Sequence, residues 1–336
     1  MTSTTVDTAA ARPAVPSLRR LLANSGISLT AVTTATILIV LAVTDFILQP
    51  ALLDVTELGY LAQTALPLVL VGAAQTLVVL VRGIDLSVGG IMVLANTTTA
   101  VWVGEQGGNH QLLVFAILGL AACAGLLNGL LVAVGGFEPF VATLGTWTIF
   151  NGLALKVLPT DGGAPPPSLI NFVFGKTAGI PNSFLVLAGV FVVWRILRAS
   201  KLGTRIYAVG ADEERARLNG TSVVGVKLFV YALAGLCAGI AGVLLAGVAS
   251  SGTPTAGDPY ILTSVAAVVI GGTSLAGGKG GIGLTMMAAG ALVFISDIVT
   301  EVNLETWVSV AASSGLLLAV VIVRSLIDRV AERRSA

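Results

Sequence analysis

Long apolar runs separated by short polar or glycine-rich breaks fill this chain from residue 27 to residue 325. The first, Ile27 to Leu48, is long enough to span a bilayer, which takes about 20 apolar residues. A cleavable signal has a shorter apolar core and a small-residue cleavage site, so this run reads as a retained first helix. Further runs lie near 58–81, 86–104, 111–134, 139–158, 182–200, 228–250, 259–276, 282–300 and 305–324. The weakest are 86–104 and 259–276, which are flanked by glycine-rich breaks and have the character of re-entrant segments. Spanning strands would read as short alternating segments, so helices are the spanning elements. The pattern predicts an all-α fold, a polytopic membrane bundle of about ten helices. Residues 1–26 read as a disordered cytoplasmic tail, 27–325 as one transmembrane domain, and 326–336 as a cytoplasmic tail.

Composition agrees with that pattern and narrows the function. Only 10% of the 336 residues are charged, where a soluble domain carries about a quarter. The formal net charge of +1 leaves no basic face for nucleic acid. Cys123 and Cys237 lie in apolar runs and make neither a disulfide framework nor a metal spacing, and His110 is the sole histidine. Charge orients the bundle. With ten spans, sixteen of the eighteen Lys and Arg residues fall on the side of the termini, and only Lys156 and Lys176 fall on the other. Basic residues are retained in the cytoplasm, so both termini are expected there. The Pro- and Gly-rich segment 159–181 is then an external connector.

Four segments carry candidate chemistry. Arg82-Gly83-Ile84-Asp85-Leu86-Ser87-Val88-Gly89-Gly90 interrupts two apolar runs. Asp85 or Ser87 caps the third span, or the segment is a broken helix lining a transport path; the two readings are compatible. A second break, 271–281, superficially resembles a phosphate loop, but Thr273 and Gly280 stand where that motif needs Gly and Ser or Thr. The chain therefore does not bind ATP by that motif. Polar residues inside the apolar runs are sparse: Gln75, Asn96, Asn128, Thr143, Thr146, Asn151 and Asp297, with Phe140 and Trp147 near several of them. Such groups suit a sugar, whose hydroxyls take hydrogen bonds and whose C–H faces take rings; they equally pin helices together. Phe140, Thr143, Trp147 and Asn151 recur at helical spacing, which predicts a shared face on the fifth span. In the loop 203–220, acidic Asp212, Glu213 and Glu214 precede Arg215 and Arg217, and Gly220 follows. That order suits a short helix and its dipole. It is either an ordinary solvated loop or the contact a membrane subunit offers a motor protein. Arg205, Tyr207, Glu214, Arg217, Leu218 and Gly220 are the candidate contacts.

Together these segments resemble the ribose-type sugar permease family of ATP-binding-cassette importers. The resemblance rests on residues 83–89, on Glu138-Pro139-Phe140-Val141-Ala142-Thr143-Leu144-Gly145-Thr146, on 207–220 and on 267–278, in order along the chain. Glu138 stands where the family pattern has Asn, Ala211-Asp212 where it has Gly-Asn, and Ser296-Asp297-Ile298 where it has Asn-Asn-Gly. The last span, with Trp307-Val308-Ser309-Val310, lacks the family's Gln and Lys-Gly. The resemblance implies a non-enzymatic transport subunit without a cofactor, in a bacterial cytoplasmic membrane. Its implied partners are an ATPase subunit that binds the ATP, an extracytoplasmic binding protein, a second permease subunit and membrane lipid. It also implies a substrate path drawn from Asp85, Ser87, Asn96, Asn128, Phe140, Thr143, Trp147, Asn151 and Asp297. The rivals are a permease for a branched-chain amino acid or nucleoside, and an ion-coupled secondary transporter for which Asp297 is the deep acid. No nucleophile–base pair, metal cluster or redox motif speaks for an enzyme.

Overall fold

A computed structural model describes residues 29–103 and 110–333. Its helices, in order, are α1 (Leu29–Leu48), α2 (Val55–Leu80), α3 (Ser87–Thr98), α4 (His110–Ala133), α5 (Pro139–Val157) and α6 (Pro167–Phe174). After a two-residue antiparallel pair, β1 (Lys176–Thr177) and β2 (Ile180–Pro181), come α7 (Asn182–Ala199), α8 (Lys201–Ala211) and α9 (Glu213–Leu218). The chain ends with α10 (Val223–Ala249), α11 (Asp258–Ile270), α12 (Ile282–Glu301) and α13 (Thr306–Arg333). The protein is a multi-pass helical membrane bundle.

Among the described residues, seven helices are long and apolar enough to cross a membrane: α1, α2, α4, α5, α7, α10 and α12. Two more apolar helices are shorter, α3 with the π turn that extends it to Val103 and α11, while α13, 28 residues long, carries the apolar stretch 307–320. Each of the ten expected runs thus contains a helix, and among the described residues α3 and α11 are the two that fall short of spanning length. The reason lies in the breaks. Gly-rich turns stop α11 at Gly271 and delay α3 until Ser87. The expected tail 1–26 lies outside the described residues, whereas the C-terminal segment expected as a tail from 326 is helical to Arg333.

A helix apolar on all sides belongs inside a bundle, and α2 and α3 are the buried ones. α2 packs on α10, α11, α12 and α7, and α3 lies between α5 and α10. Pro67 sits within α2, where neighbouring helices shield the interruption. Asp54 begins α2 by accepting from the Thr56 amide at 2.6 Å, and those hydrogen bonds hold its carboxyl below the usual value. The α4–α10 crossing is as close as backbones allow. A side chain at Gly125 would run into the Tyr231 carbonyl, and one at Gly235 into the Ala121 carbonyl. Small residues drive such packing because lipid offers helices no hydrophobic reason to associate.

The 159–181 connector is not a bare loop. It carries α6, the short hairpin, and a two-bond bridge between Gly162 and Gly252. The Ala164 amide also donates to Ala100, at the end of α3.

Candidate substrate path and coupling helices

The start of α3 is a buried polar knot. Asp85 Oδ1 accepts from the Ser87 amide at 2.8 Å and from the Ser87 hydroxyl at 2.6 Å. Asn128 of α4 donates to Ser87 Oγ at 2.6 Å, and Thr146 of α5 donates to Asn128 Oδ1 at 2.7 Å. Thr143 accepts from the Leu86 amide at 3.1 Å, while its own hydroxyl is shared by the Pro139 and Ile84 carbonyls. Of the two cap candidates, Asp85 is the one that accepts from the helix amide; Ser87 is a donor to it. Asp85, Ser87, Asn128, Thr143 and Thr146 are all buried within this chain. Their first effect is to fasten α3, α4 and α5 together. Asp85 Oδ2 and the Tyr231 hydroxyl are buried here without a hydrogen-bond partner among the described residues, and Tyr231 packs so closely on Gly83 that no side chain fits there.

The expected single face of α5 is divided. Thr143, Thr146, Phe150 and Ala154 point into the bundle. Phe140 is exposed, and Trp147 and Asn151 lie half-buried along one edge. The indole Nε1 of Trp147 and the Oδ1 of Asn151 are enclosed but have no partner among the described residues. Asn151 Nδ2 reaches Asp258 Oδ1 at 3.5 Å. Asp258 is the first residue of α11, a helix of 13 residues. At 1.5 Å per residue α11 is about 20 Å long, short of a bilayer core of about 30 Å. Its start, Gly257, abuts the Gly89 carbonyl in the first turn of α3. Asn151 lies twelve residues into α5, about 18 Å along it. Asp258, exposed in this chain, therefore stands level with Asn151 of α5, at the beginning of a helix shorter than a bilayer core is thick.

The other two candidates sit elsewhere. Asn96 is buried and accepts from the Thr253 amide at 2.8 Å, which holds the chain entering α11 against α3. Asp297 lies on α12 with its carboxyl against that of Asp45, a wholly buried residue of α1. Asp297 is therefore not the only deep acid, and α12 packs on α1, α2, α11 and α13 whereas α5 packs on α3 and α4. An apolar hollow of about 760 Å³ also opens between α3, α4 and α5, lined by Leu94, Trp102, Leu120, Leu127 and Leu153 among others. It has too few polar groups to orient a sugar.

On the expected cytoplasmic side, the segment read as a loop is two helices. α9 matches the short helix expected there: Asp212 accepts from the Arg215 amide at 3.0 Å, Arg217 pairs with Glu214 at 2.6 Å, and Gly220 follows with φ 75°. Leu218 is 77% exposed and Arg205 is exposed. Glu213 meets Lys227 of α10 at 2.7 Å. An open hollow of about 540 Å³ lies between this helix and the end of α4, lined by Val132, Glu213, Glu214, Arg217, Ser222 and Lys227. α8 was not expected as a helix. Its Gly203, Ile206, Val209 and Gly210 are buried against the bundle. Tyr207 donates to the Gly280 carbonyl at 2.6 Å, Arg198 covers its ring, and burial raises its pKa.

The family described as "Branched-chain amino acid transport system / permease component" matches residues 58–326. The chain belongs to this family. It is 34% identical over 282 residues to the ribose import permease protein RbsC of Escherichia coli strain K12, covering 82% of this chain and 88% of that one. It is 37% identical to RbsC of Bacillus subtilis strain 168 over 250 residues, 72% of this chain and 76% of the relative. It is 39% identical to the fructose import permease protein FrcC of Rhizobium meliloti over 235 residues, 67% and 64%. No solved structure matches.

Within this family permease, the sequence reading passed over Asp258, Tyr231, Arg82 and Asp45 as site residues. Asp258 had a signal: Gly257-Asp258-Pro259 before an apolar run is a helix-start pattern. Asp45 and Tyr231 had no local signal, since each is a lone polar group in an apolar run.

Proposed function

We propose that this chain is the membrane-spanning permease subunit of an ATP-binding-cassette importer and that it carries a sugar. The observation that carries the reading is family membership along most of the chain, together with relatives named as ribose and fructose import permeases. Such a subunit needs a separate ATPase, an extracytoplasmic binding protein and a second permease subunit, and it works in the bacterial cytoplasmic membrane. The charge asymmetry supports placing α8 and α9 on the cytoplasmic face. There α9, with its exposed Leu218 and its open hollow, is a contact for the ATPase.

The substrate path in this reading runs along the α5–α11 edge, past Trp147, Asn151 and Asp258. An unpaired indole N–H, an amide carbonyl and a carboxylate suit sugar hydroxyls, and the Trp147 ring suits a sugar's C–H face. Asp85, Ser87, Asn128 and Thr143 support this edge from behind as the knot that positions α5. Phe140 lies farther toward the start of α5, and Asp297 lies off the path. In cells supplying the ATPase and binding protein, uptake of labelled ribose, fructose and allose is measured with leucine as the comparison solute. Trp147→Ala and Asn151→Ala are expected to lower sugar uptake by about tenfold, the worth of a hydrogen bond or two left unpaired, at unchanged protein level and ATPase assembly. Leucine uptake in place of sugar would move the substrate class to amino acids; normal sugar uptake by both variants would make this edge a packing surface.

A further inference from the structure

Arg82 follows α2 by two residues and precedes the buried Asp85 knot by three. It adopts φ 67°, the left-handed region that a non-glycine residue enters at a cost. Its Nε donates to the Gly210 carbonyl at 2.8 Å and its Nη2 to the Ala211 carbonyl. Those are the last carbonyls of α8, which have no partner within the helix and carry the negative end of its dipole. A guanidinium presents donors in a fixed planar fork, so it holds two successive carbonyls where a Lys would hold one point.

The same spot gathers the second glycine-rich break. The Gly278 amide donates to the Leu80 carbonyl at 3.0 Å. Gly277 packs on the Arg82 side chain, and Gly210 packs so tightly on the Leu80 carbonyl that no side chain fits there. Tyr207, also on α8, reaches Gly280. Three segments therefore meet at one point: the end of α2, the half-buried helix α8, and the 277–281 turn that leads into α12. From Arg82 the chain runs through Gly83 and Ile84 to Asp85, whose knot holds α3 to α4 and α5. α9, the exposed member of the cytoplasmic pair, joins α8 through Asp212 alone.

We propose that Arg82 is a positioning residue that transmits displacement of α8 and α9 to the α3–α5 polar knot, by clamping the α8 C-terminus to the end of α2. This deepens the importer reading and rests on it, because the displacement comes from the ATPase. Arg82 is exposed, so its removal leaves the buried packing of Gly210, Leu80 and Gly278 in place.

The test uses the full permease–ATPase–binding-protein complex in liposomes. One spin label is placed at Arg215→Cys on α9 and another at Val141→Cys on α5, both exposed, after replacement of Cys123 and Cys237. In the otherwise unaltered complex, ATP should shift both labels relative to a reference label on the ATPase. With Arg82→Gln, the ATPase should remain bound and the α9 label should still move. The α5 label should cease to move, and sugar imported per ATP hydrolysed should fall by about tenfold, as expected for loss of charge-assisted hydrogen bonds. Arg82→Lys should recover only part of this. Tyr207→Phe, which keeps the ring and deletes one hydrogen bond at the same joint, should give a smaller loss in the same direction. Normal α5 motion and normal import per ATP in Arg82→Gln would overturn the proposal, as would loss of ATPase binding, which would make Arg82 a docking residue. Absence of any ATP response before Arg82 is altered would instead remove the importer reading, and the joint with it.

Discussion

Asp85 shows how one polar residue in an apolar chain is made tolerable. A carboxyl in such surroundings needs donors, and it takes two from Ser87, its neighbour but one. Ser87 in turn takes a hydrogen bond from Asn128, which takes one from Thr146. The geometry asks for an acceptor oxygen at Asp85 Oδ1 and makes no ion pair with it among the described residues. Asp85→Asn keeps that oxygen and supplies an amide beside the unpartnered Tyr231 hydroxyl. It should cost less than about 1 kcal/mol of stability, whereas Asp85→Ala strands Ser87 and should cost about 1–3 kcal/mol. Unfolding midpoints of the purified protein in detergent check this; equal losses in the two variants would mean that charge, not the acceptor, holds the knot.

Among elements, the α4–α10 crossing decides how closely the bundle's centre is packed. Gly125 and Gly235 face each other there, each against the other helix's backbone. Gly235→Leu must push the helices apart, and α10 also carries α2 and α3 on its other sides. The expected outcome is loss of folded, membrane-integrated protein. Gly152→Ala on α5 is the control, because nothing lies within 4 Å of a side chain placed there; it should be neutral or slightly stabilising, Ala being favoured over Gly in a helix by up to about 1 kcal/mol. Yield and size-exclusion behaviour of the two variants distinguish a packing contact from general intolerance of added bulk. The same contrast explains the glycine content. Some glycines permit backbone contact and some permit left-handed turns, as at Gly277 and Gly278, while others face open space.

For the whole molecule, orientation is set by charge and by the alternation of helices, and it is directly measurable. Single cysteines at exposed Ser168, in α6, and at exposed Lys201, the first residue of α8, lie on opposite sides in the expected topology. With Cys123 and Cys237 replaced, an impermeant thiol reagent added to intact cells should label Ser168→Cys and spare Lys201→Cys until the membrane is opened. Labelling of Lys201→Cys in intact cells would invert the arrangement and separate α8 and α9 from any cytoplasmic ATPase. The outer faces of α1, α4, α5 and α7 are largely exposed apolar surface within one chain. Lipid is what such faces meet in a membrane, since water would not wet them, and the importer proposal adds a second permease subunit as their other partner.

By itself, the sequence determined the class and the order of parts. Continuous apolar runs admit only helices in lipid, because every backbone amide must be satisfied within its own segment. The four motif segments were legible for the same local reason, as was the acid-first, base-later helix α9 with its Asp212 cap. Local signals also marked 86–104 and 259–276 as irregular. Only the tertiary structure decided what those irregularities do. It showed α3 and α11 to be shorter than a bilayer is thick, and it set Asp258, at the start of α11, beside Asn151. It turned the read face of α5 into a buried side and a half-open edge. It also folded α8 under the bundle so that Arg82 could reach it across 128 residues of chain. Periodicity gives each residue's angle around its own helix and nothing about which neighbour stands there; in a membrane, where apolar surface does not choose partners, that choice falls to glycine contacts and a few buried polar bonds.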